Sequence, residues 1–389
     1  MLKIIDKSEC CGCSACVQVC PKKCVDFIAD DTGFSYPNVN TDVCINCGLC
    51  EKVCPVINKS DVNKPLAVYA SKCHDDNIRV QSSSGGIFTI IAKYIIDYGG
   101  VVFGARYTEE YDVEHCYVDK EEDLSFLRGS KYVQSNIGNT YIQAKEFLDS
   151  SRLVLYSGTA CQIAGLKKFL RKDYNNLLTI DVVCHGVPSP LVWQLYLNKV
   201  TKSDLKRDGE FIIDGINLRS KSTGWRNYSC EIKLKSNQCT FSIEDKHDQN
   251  LYMRLFLSNL ILRPSCFNCP AKAGRAYSDI TLGDFWGVEH TEADFDDDKG
   301  VSVVLLNNVR AVDLFQELEL CTRLISYDNV LKYNPCLEKS VKRPSLYDKY
   351  WRILLEKDFN SANEILSKIR PSLLRRIKRI IRKLLLKIK

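Results

Sequence analysis

Nowhere in this chain do eighteen apolar residues follow one another. The best candidate, from Ile87 to Ile96, is broken by Lys93 and Tyr94, which is too short and too polar to span a bilayer. The opening MLKIIDKSEC lacks a basic stretch followed by an apolar one, so a signal peptide is not expected. A disulfide framework is therefore not expected either, and the reading is a reducing, cytoplasmic compartment. Positive charge is also scarce outside one segment. The chain carries a net charge of +6, yet residues 368–389 hold ten Lys or Arg and no acid. The remainder is net negative, which argues against a broad nucleic-acid surface and predicts no nucleic-acid partner. At 389 residues, two or three domains are expected.

Cysteine is what the chain has in excess, with twenty residues. Cys10, Cys13, Cys16 and Cys20, followed by Pro21, recur as Cys44, Cys47, Cys50 and Cys54, followed by Pro55. In C-x2-C-x2-C-x3-C-P, three thiolates on one loop hold three irons of a cubane while the fourth ligates the other cluster. The spacing thus predicts Cys10, Cys13, Cys16 and Cys54 on one 4Fe–4S cluster, and Cys44, Cys47, Cys50 and Cys20 on a second. Zinc sites use two C-x2-C pairs with a longer spacer. Cys11 and Cys24 fall outside the spacing and read as small buried hydrophobes. Between the runs, VDFIADDTGFSYPNV reads as two strands about an Asp-Thr-Gly turn. Residues 1–60 are therefore an α+β ferredoxin-like domain, and the polar NKSDVNKPL at 58–66 reads as a linker.

From residue 67 to about 340 the rhythm is strand, loop, helix, strand, that of a larger α/β domain. An inserted β region is expected near 210–245. Strands are expected at 99–107, 153–157 and 177–184. Cys161 follows one strand-ending turn and Cys184 ends another strand, while Cys266 and Cys269 form a C-x2-C between Pro264 and Pro270. Neighbouring strand ends converge on one sheet edge, so these four could close a third four-thiolate site; spacing alone leaves buried thiols or a redox pair open. Cys73, Cys116, Cys230, Cys239, Cys321 and Cys336 read as packing residues.

The stretches SSSGG (82–86), GSKYVQS (129–135), YSGTACQIAGL (156–166), DVVCHGVPSP (181–190) and SDITLGDFWG (278–287) resemble the beta subunits of coenzyme F-420 hydrogenases and dehydrogenases. The resemblance covers most of residues 67–290. It implies an α/β flavoprotein with FAD and one 4Fe–4S cluster, here on Cys161, Cys184, Cys266 and Cys269. That family usually has Pro where this chain has Ala160. Read from the residues, a helix opening on Ser83, Ser84, Gly85 and Gly86 offers hydroxyls, backbone N–H groups and a positive helix end to phosphate. An ordinary serine-capped helix is the plainer alternative. Lys131, the turn residues Gly158 and Thr159, and Asp284 complete the expected cofactor contacts. His185 reads as structural.

Residues 341–389 are expected to be helical. Leu373, Leu374, Ile377, Ile380, Ile381, Leu384, Leu385 and Ile388 form an apolar stripe beside a basic face. A C-terminal amphipathic helix at 372–389 would suit an anionic membrane surface, peripheral on its inner face. The expected function is an oxidoreductase passing electrons between a two-electron donor or acceptor and a redox partner, through FAD and 4Fe–4S clusters. The alternatives are a place among non-catalytic electron-transfer subunits, feeding a membrane-associated enzyme, and a cluster-based redox sensor.

Overall fold

The hairpin expected between the two cysteine runs forms: β1 (Val25–Ala29) pairs antiparallel with β2 (Ser35–Val39). At its turn, Asp30 Oδ1 accepts from the N–H groups of Thr32 and Phe34. The computed structural model describes residues 2–202, 211–237 and 239–369. A one-turn helix follows the middle of each cysteine run, Ala15–Gln18 in the first and Leu49–Lys52 in the second. Each run needs two left-handed residues to bend round: Gly12 (φ 71°) and Ser14 (φ 64°) in the first, Asn46 (φ 56°) and Gly48 (φ 72°) in the second. Glycine meets that demand without strain at only one position in each copy.

The larger domain is built on an eight-stranded sheet. Its members are β3 (Ala67–Cys73), β4 (Val101–Tyr107), β5 (Val113–Val118), β6 (Val154–Thr159) and β7 (Leu177–Val182). After an insertion come β11 (Ile280–Asp284), β12 (Ser302–Leu306) and β13 (Leu320–Leu324), giving the order β13-β3-β12-β11-β7-β6-β4-β5. The four central strands β11, β7, β6 and β4 are mutually parallel, and both flanks are antiparallel. Parallel strands require crossovers that cover both faces. One face carries the helix Ile87–Asp97, whose Ile87, Ile91 and Ile95 pack on Leu155, Leu178 and Ile280. The other carries the helix Ala160–Leu170, whose Ile163 and Leu166 pack on Phe103, Val154 and Tyr156. The insertion is a separate antiparallel sheet of β8 (Ile212–Ser220), β9 (Ser229–Lys235) and β10 (Thr240–Lys246).

The ferredoxin domain is seated on the second face of the large sheet. Cys11, Cys13, Ala15 and Val53 share one apolar cluster with Ile163, Leu166 and Tyr141. Gly165 on the underlying helix is a requirement of this fit, since a Cβ there would stand 2.8 Å from Cys13 Cβ. Gln18 Oε1 accepts from the N–H groups of Tyr141 and Ile142. At the hairpin tip, Phe34 is fully buried among Trp193, Tyr350 and Trp351, and Ser189 donates its hydroxyl to Thr32 O at 2.6 Å. The helices Tyr347–Glu356 and Phe359–Asn363 complete that core. No helix among the described residues is long and apolar enough to cross a membrane. The amphipathic helix expected at 372–389 lies outside the described residues.

Candidate functional site

The two cysteine runs arrange their thiols in the crossed pattern. Cys20, from the first run, lines one small cavity together with Cys44, Cys47 and Cys50. Cys54, from the second run, lies within electrostatic reach of Cys10 and Cys16 of the first run, and also of Cys50. Their settings differ. Cys10, Cys13 and Cys16 are buried, Cys44 and Cys50 are half-buried and Cys47 is exposed. Cys24 lies against Cys20, sulfur to sulfur at 3.4 Å.

The parallel strands bring the dispersed cysteines together at their C-terminal ends. Cys161 opens the helix after β6, Cys184 follows β7, and Cys266 and Cys269 sit on the one-turn segment Pro264–Asn268 and just beyond it. All four line a single cavity of about 60 Å³, counted as space open to the centre of a water molecule. Burial pushes the Cys184 thiol up to about 12 and raises Cys266 and Cys269 as well. Cys161 is raised first by its hydrogen bond with Cys11 and then by burial. Thiols in this setting stay protonated unless a metal takes them as thiolates. Among the described residues, no three His, Cys, Asp or Glu side chains converge as they would about a single ion. Four irons at separate cubane corners instead ask for thiols spread round a cavity, which is the arrangement present here and at Cys20, Cys44, Cys47 and Cys50.

Two cysteines assigned to packing by their spacing belong to this cavity. Cys11 and Cys336 line it together with Lys272 and Asp181. Lys272 Nζ donates to the carbonyl oxygens of Cys184 and Cys336. Asp181 accepts from the hydroxyls of Ser278 and Thr281, and burial pushes its carboxyl up to about 6.

A second, larger cavity, about 440 Å³ by the same measure, lies on the other side of the segment 182–187. That is within the range of organic-ligand sites. Ser83, Ser84, Gly86, Lys131, Gly158, Thr159 and Asp284 line it, as the motifs anticipate. Gly85 does not. Its N–H donates to Ser302 Oγ, and a Cβ there would meet Ser71 O at 2.4 Å. Gly86 (φ 86°) is the cap residue of the helix, and a Cβ on it would press Cys73 Sγ. Both glycines are thus required by internal packing, whatever the cavity holds.

Several of the expected contacts are already engaged with protein. Ser84 Oγ donates to Val301 O, and Lys131 Nζ donates to Arg128 O and Gly129 O while burial lowers its ammonium to about 8. Asp284 accepts from Arg219 Nη2 at 2.9 Å and from Trp225 Nε1 at 3.2 Å, so its role is to hold Arg219. Arg219 in turn lies over the Tyr228 ring at 3.9 Å. Sequence reasoning missed Arg219, and it also missed His115, whose ring stacks on Tyr156. His115 Nε2 meets the Ser157 carbonyl at 3.1 Å and must donate to it, which leaves Nδ1 an acceptor. Among the described residues neither His115 Nδ1 nor Arg219 Nε has a hydrogen-bond partner, although both are buried. These are the atoms a bound ligand would satisfy. His185 borders both cavities, its Nε2 on Asn259 Oδ1 at 2.6 Å.

Known proteins resemble the chain in two blocks. Residues 3–61 match the family model of the 4Fe-4S dicluster domain, and residues 151–326 match that of the C terminus of the coenzyme F420 hydrogenase/dehydrogenase beta subunit. Among curated proteins, the F(420)H(2) dehydrogenase of Methanosarcina mazei, in its F subunit, is 26% identical over 196 residues, 47% of this chain and 55% of that protein. The coenzyme F420-dependent sulfite reductase of Methanocaldococcus jannaschii is 25% identical over 193 residues, 49% of this chain and 30% of that protein. The chain thus spans about half or less of these relatives. A chain of the F420-reducing NiFe hydrogenase complex of Methanosarcina barkeri aligns loosely, with a TM-score of 0.45 and 14% identity over 79% of this chain and 93% of that one. The doubled cysteine runs and the matched blocks agree: the chain is an iron–sulfur electron-transfer protein in which a 4Fe–4S dicluster domain, matched over residues 3–61, is joined to a domain similar, over residues 151–326, to the C terminus of the coenzyme F420 hydrogenase/dehydrogenase beta subunit.

Proposed function

We propose that the chain is an iron–sulfur flavoprotein oxidoreductase that exchanges electrons between a two-electron donor or acceptor and a one-electron redox partner. The observation that carries this reading is one shared wall. Thr159 and the residues 182–187 border both the large cavity and the four-thiol cavity, and Cys11 of the first ferredoxin loop borders the four-thiol cavity from the far side. Three compartments therefore lie in series. FAD in the first would convert between two-electron and one-electron chemistry, and a third 4Fe–4S cluster in the second, with the two in the ferredoxin domain, would carry single electrons.

The chain's own residues have definable tasks. Lys131, Arg219 and the N-terminal end of the helix Ile87–Asp97 supply the positive field that a pyrophosphate needs. His115 Nδ1 accepts a hydrogen bond from the ligand. Trp225 and Trp286, stacked at 5.3 Å with planes 4° apart, brace the Arg219–Asp284 pair beside the cavity. Cys161, Cys184, Cys266 and Cys269 hold the third cluster.

Anaerobic reconstitution tests the reading. The expected load is about twelve iron and about twelve sulfide per chain, at four per cubane, with FAD released on denaturation. Cys184→Ser together with Cys266→Ser should remove about a third of the iron and leave the ferredoxin signals. Iron unchanged in that variant would overturn the third cluster, and a colourless supernatant would overturn the flavin. The basic stripe at 372–389 is assigned to an anionic membrane surface. Sedimentation with anionic vesicles that does not fall as salt rises would overturn that assignment.

A further inference from the structure

Arg263 has no carboxylate. It is 1% exposed, yet each of its bonds goes to a neutral acceptor. Nε donates to Cys10 O at 2.7 Å, Nη1 to Gln134 Oε1 at 2.9 Å and Nη2 to Ser35 O at 2.9 Å. Its guanidinium lies over the Tyr36 ring at 4.3 Å, and no ion pair reaches it among the described residues. A buried cation without a counter-charge costs several kcal/mol in order of magnitude, so an anion should lie within its field.

Its position says which anion. The side chain passes under the first ferredoxin loop so closely that a Cβ on Gly12 would come within 2.9 Å of Nη1. Its backbone carbonyl accepts from Cys266 N at 2.9 Å, and its charge reaches the Cys161 thiol. The same residue thus touches a ligand loop of the first ferredoxin cluster and the segment carrying Cys266 of the four-thiol cavity. Its contact with Cys10 spans 253 positions in the sequence, so it joins the two domains as well as the two sites.

We propose that Arg263 is the shared counter-ion of the first ferredoxin cluster and the four-thiol site, whose thiolate-bound clusters supply the negative charge that its own surroundings lack. The proposal rests on the third-cluster reading for one of its two arms only. Reduction adds a negative charge to a cluster, and a neighbouring cation favours it. Arg263 therefore raises the reduction potential of both sites together, which favours holding electrons at the domain boundary. The second ferredoxin cluster, at the exposed loop of Cys47, lies outside this influence and serves as an internal control.

The test is an anaerobic redox titration, followed by electron paramagnetic resonance, of the full-length protein and of Arg263→Gln and Arg263→Lys. In Arg263→Gln the first-cluster and four-thiol signals should titrate at lower potential by at least a tenfold change in the reduction equilibrium, about 59 mV for one electron. The Cys47-loop signal should stay in place, and Arg263→Lys should lie near the wild type. If Arg263→Gln loses the two clusters and Arg263→Lys keeps them, the charge requirement is likewise supported. Unmoved potentials in a loaded Arg263→Gln would overturn the proposal. So would equal loss of clusters in both variants, because shape and not charge would then be what matters. Should iron counting show only two clusters in the wild type, the four-thiol reading fails, while the shift of the first cluster still decides the role of Arg263.

Discussion

The two cysteine runs of the ferredoxin domain carry one spacing in two opposite settings. The first is buried under a neighbouring domain, with Cys10, Cys13 and Cys16 each at most 8% exposed, and the second lies at the surface with Cys47 exposed. Ligand spacing decides that a cluster binds. Burial, hydrogen bonds and nearby charge decide its potential and its partners. The first run faces the four-thiol cavity and Arg263, and the second faces outward, where another protein could reach it.

Removing one ligand from each run tests this contrast most severely. Cys16→Ser and Cys47→Ser should each lower the iron content by about four per chain. Only Cys16→Ser should also loosen the domain junction, read as faster proteolysis of the 58–66 linker. Equal protease resistance in the two variants would mean that the buried loop is not part of the junction. Next in size, Phe34→Ala removes the ring that anchors the hairpin among Trp193, Tyr350 and Trp351. It should lower stability by about 3–5 kcal/mol in anaerobic denaturant unfolding.

A third effect concerns titration in the interior behind the buried loop. Burial pushes His115 from 6.5 down to about 4. The unfolded chain then binds more protons between those values, so this group makes stability rise with pH across about 4 to 6.5 and leaves it flat above. Asp181, raised from 3.8 to about 6, works the other way, stability falling as pH rises through that window. His115→Gln should therefore flatten or reverse the wild-type slope, by at most about 3 kcal/mol in total. An unchanged slope would show that the imidazole is not desolvated. Smallest of all, Ile45→Ala, at a side chain 57% exposed beside Cys47, should stay within about 0.5 kcal/mol of the wild type.

How much of this was legible before the structure follows from sequence distance. The doubled cysteine run, the hairpin and the strands β6 and β7 that lead to Cys161 and Cys184 are local patterns, and they appear close to where periodicity and turn residues put them. The insertion at 212–246 was legible in the same way. Arg219, His115, Cys11 and Arg263 were not, because each is given its role by residues far along the chain. Arg219 meets Asp284 across 65 positions, and His115 meets Ser157 across 42. Cys11 resembled a packing residue because only the tertiary fold sets it beside Cys161. Gly85 and Gly86 had a local signal that pointed partly astray. A Ser-Gly helix start suits phosphate, yet close approach to Ser71, Ser302 and Cys73 already requires both glycines.

The burial of Phe34 against Trp351 also bears on how the protein is made. On a ribosome adding about 5–20 residues per second, the hairpin emerges tens of seconds before the helix that will cover it. Arg263, which closes over Cys10, likewise comes late. During that interval the first cysteine loop stands open to whatever delivers iron and sulfide, and afterwards filling it requires the junction to open, whereas the loop of Cys47 stays at the surface.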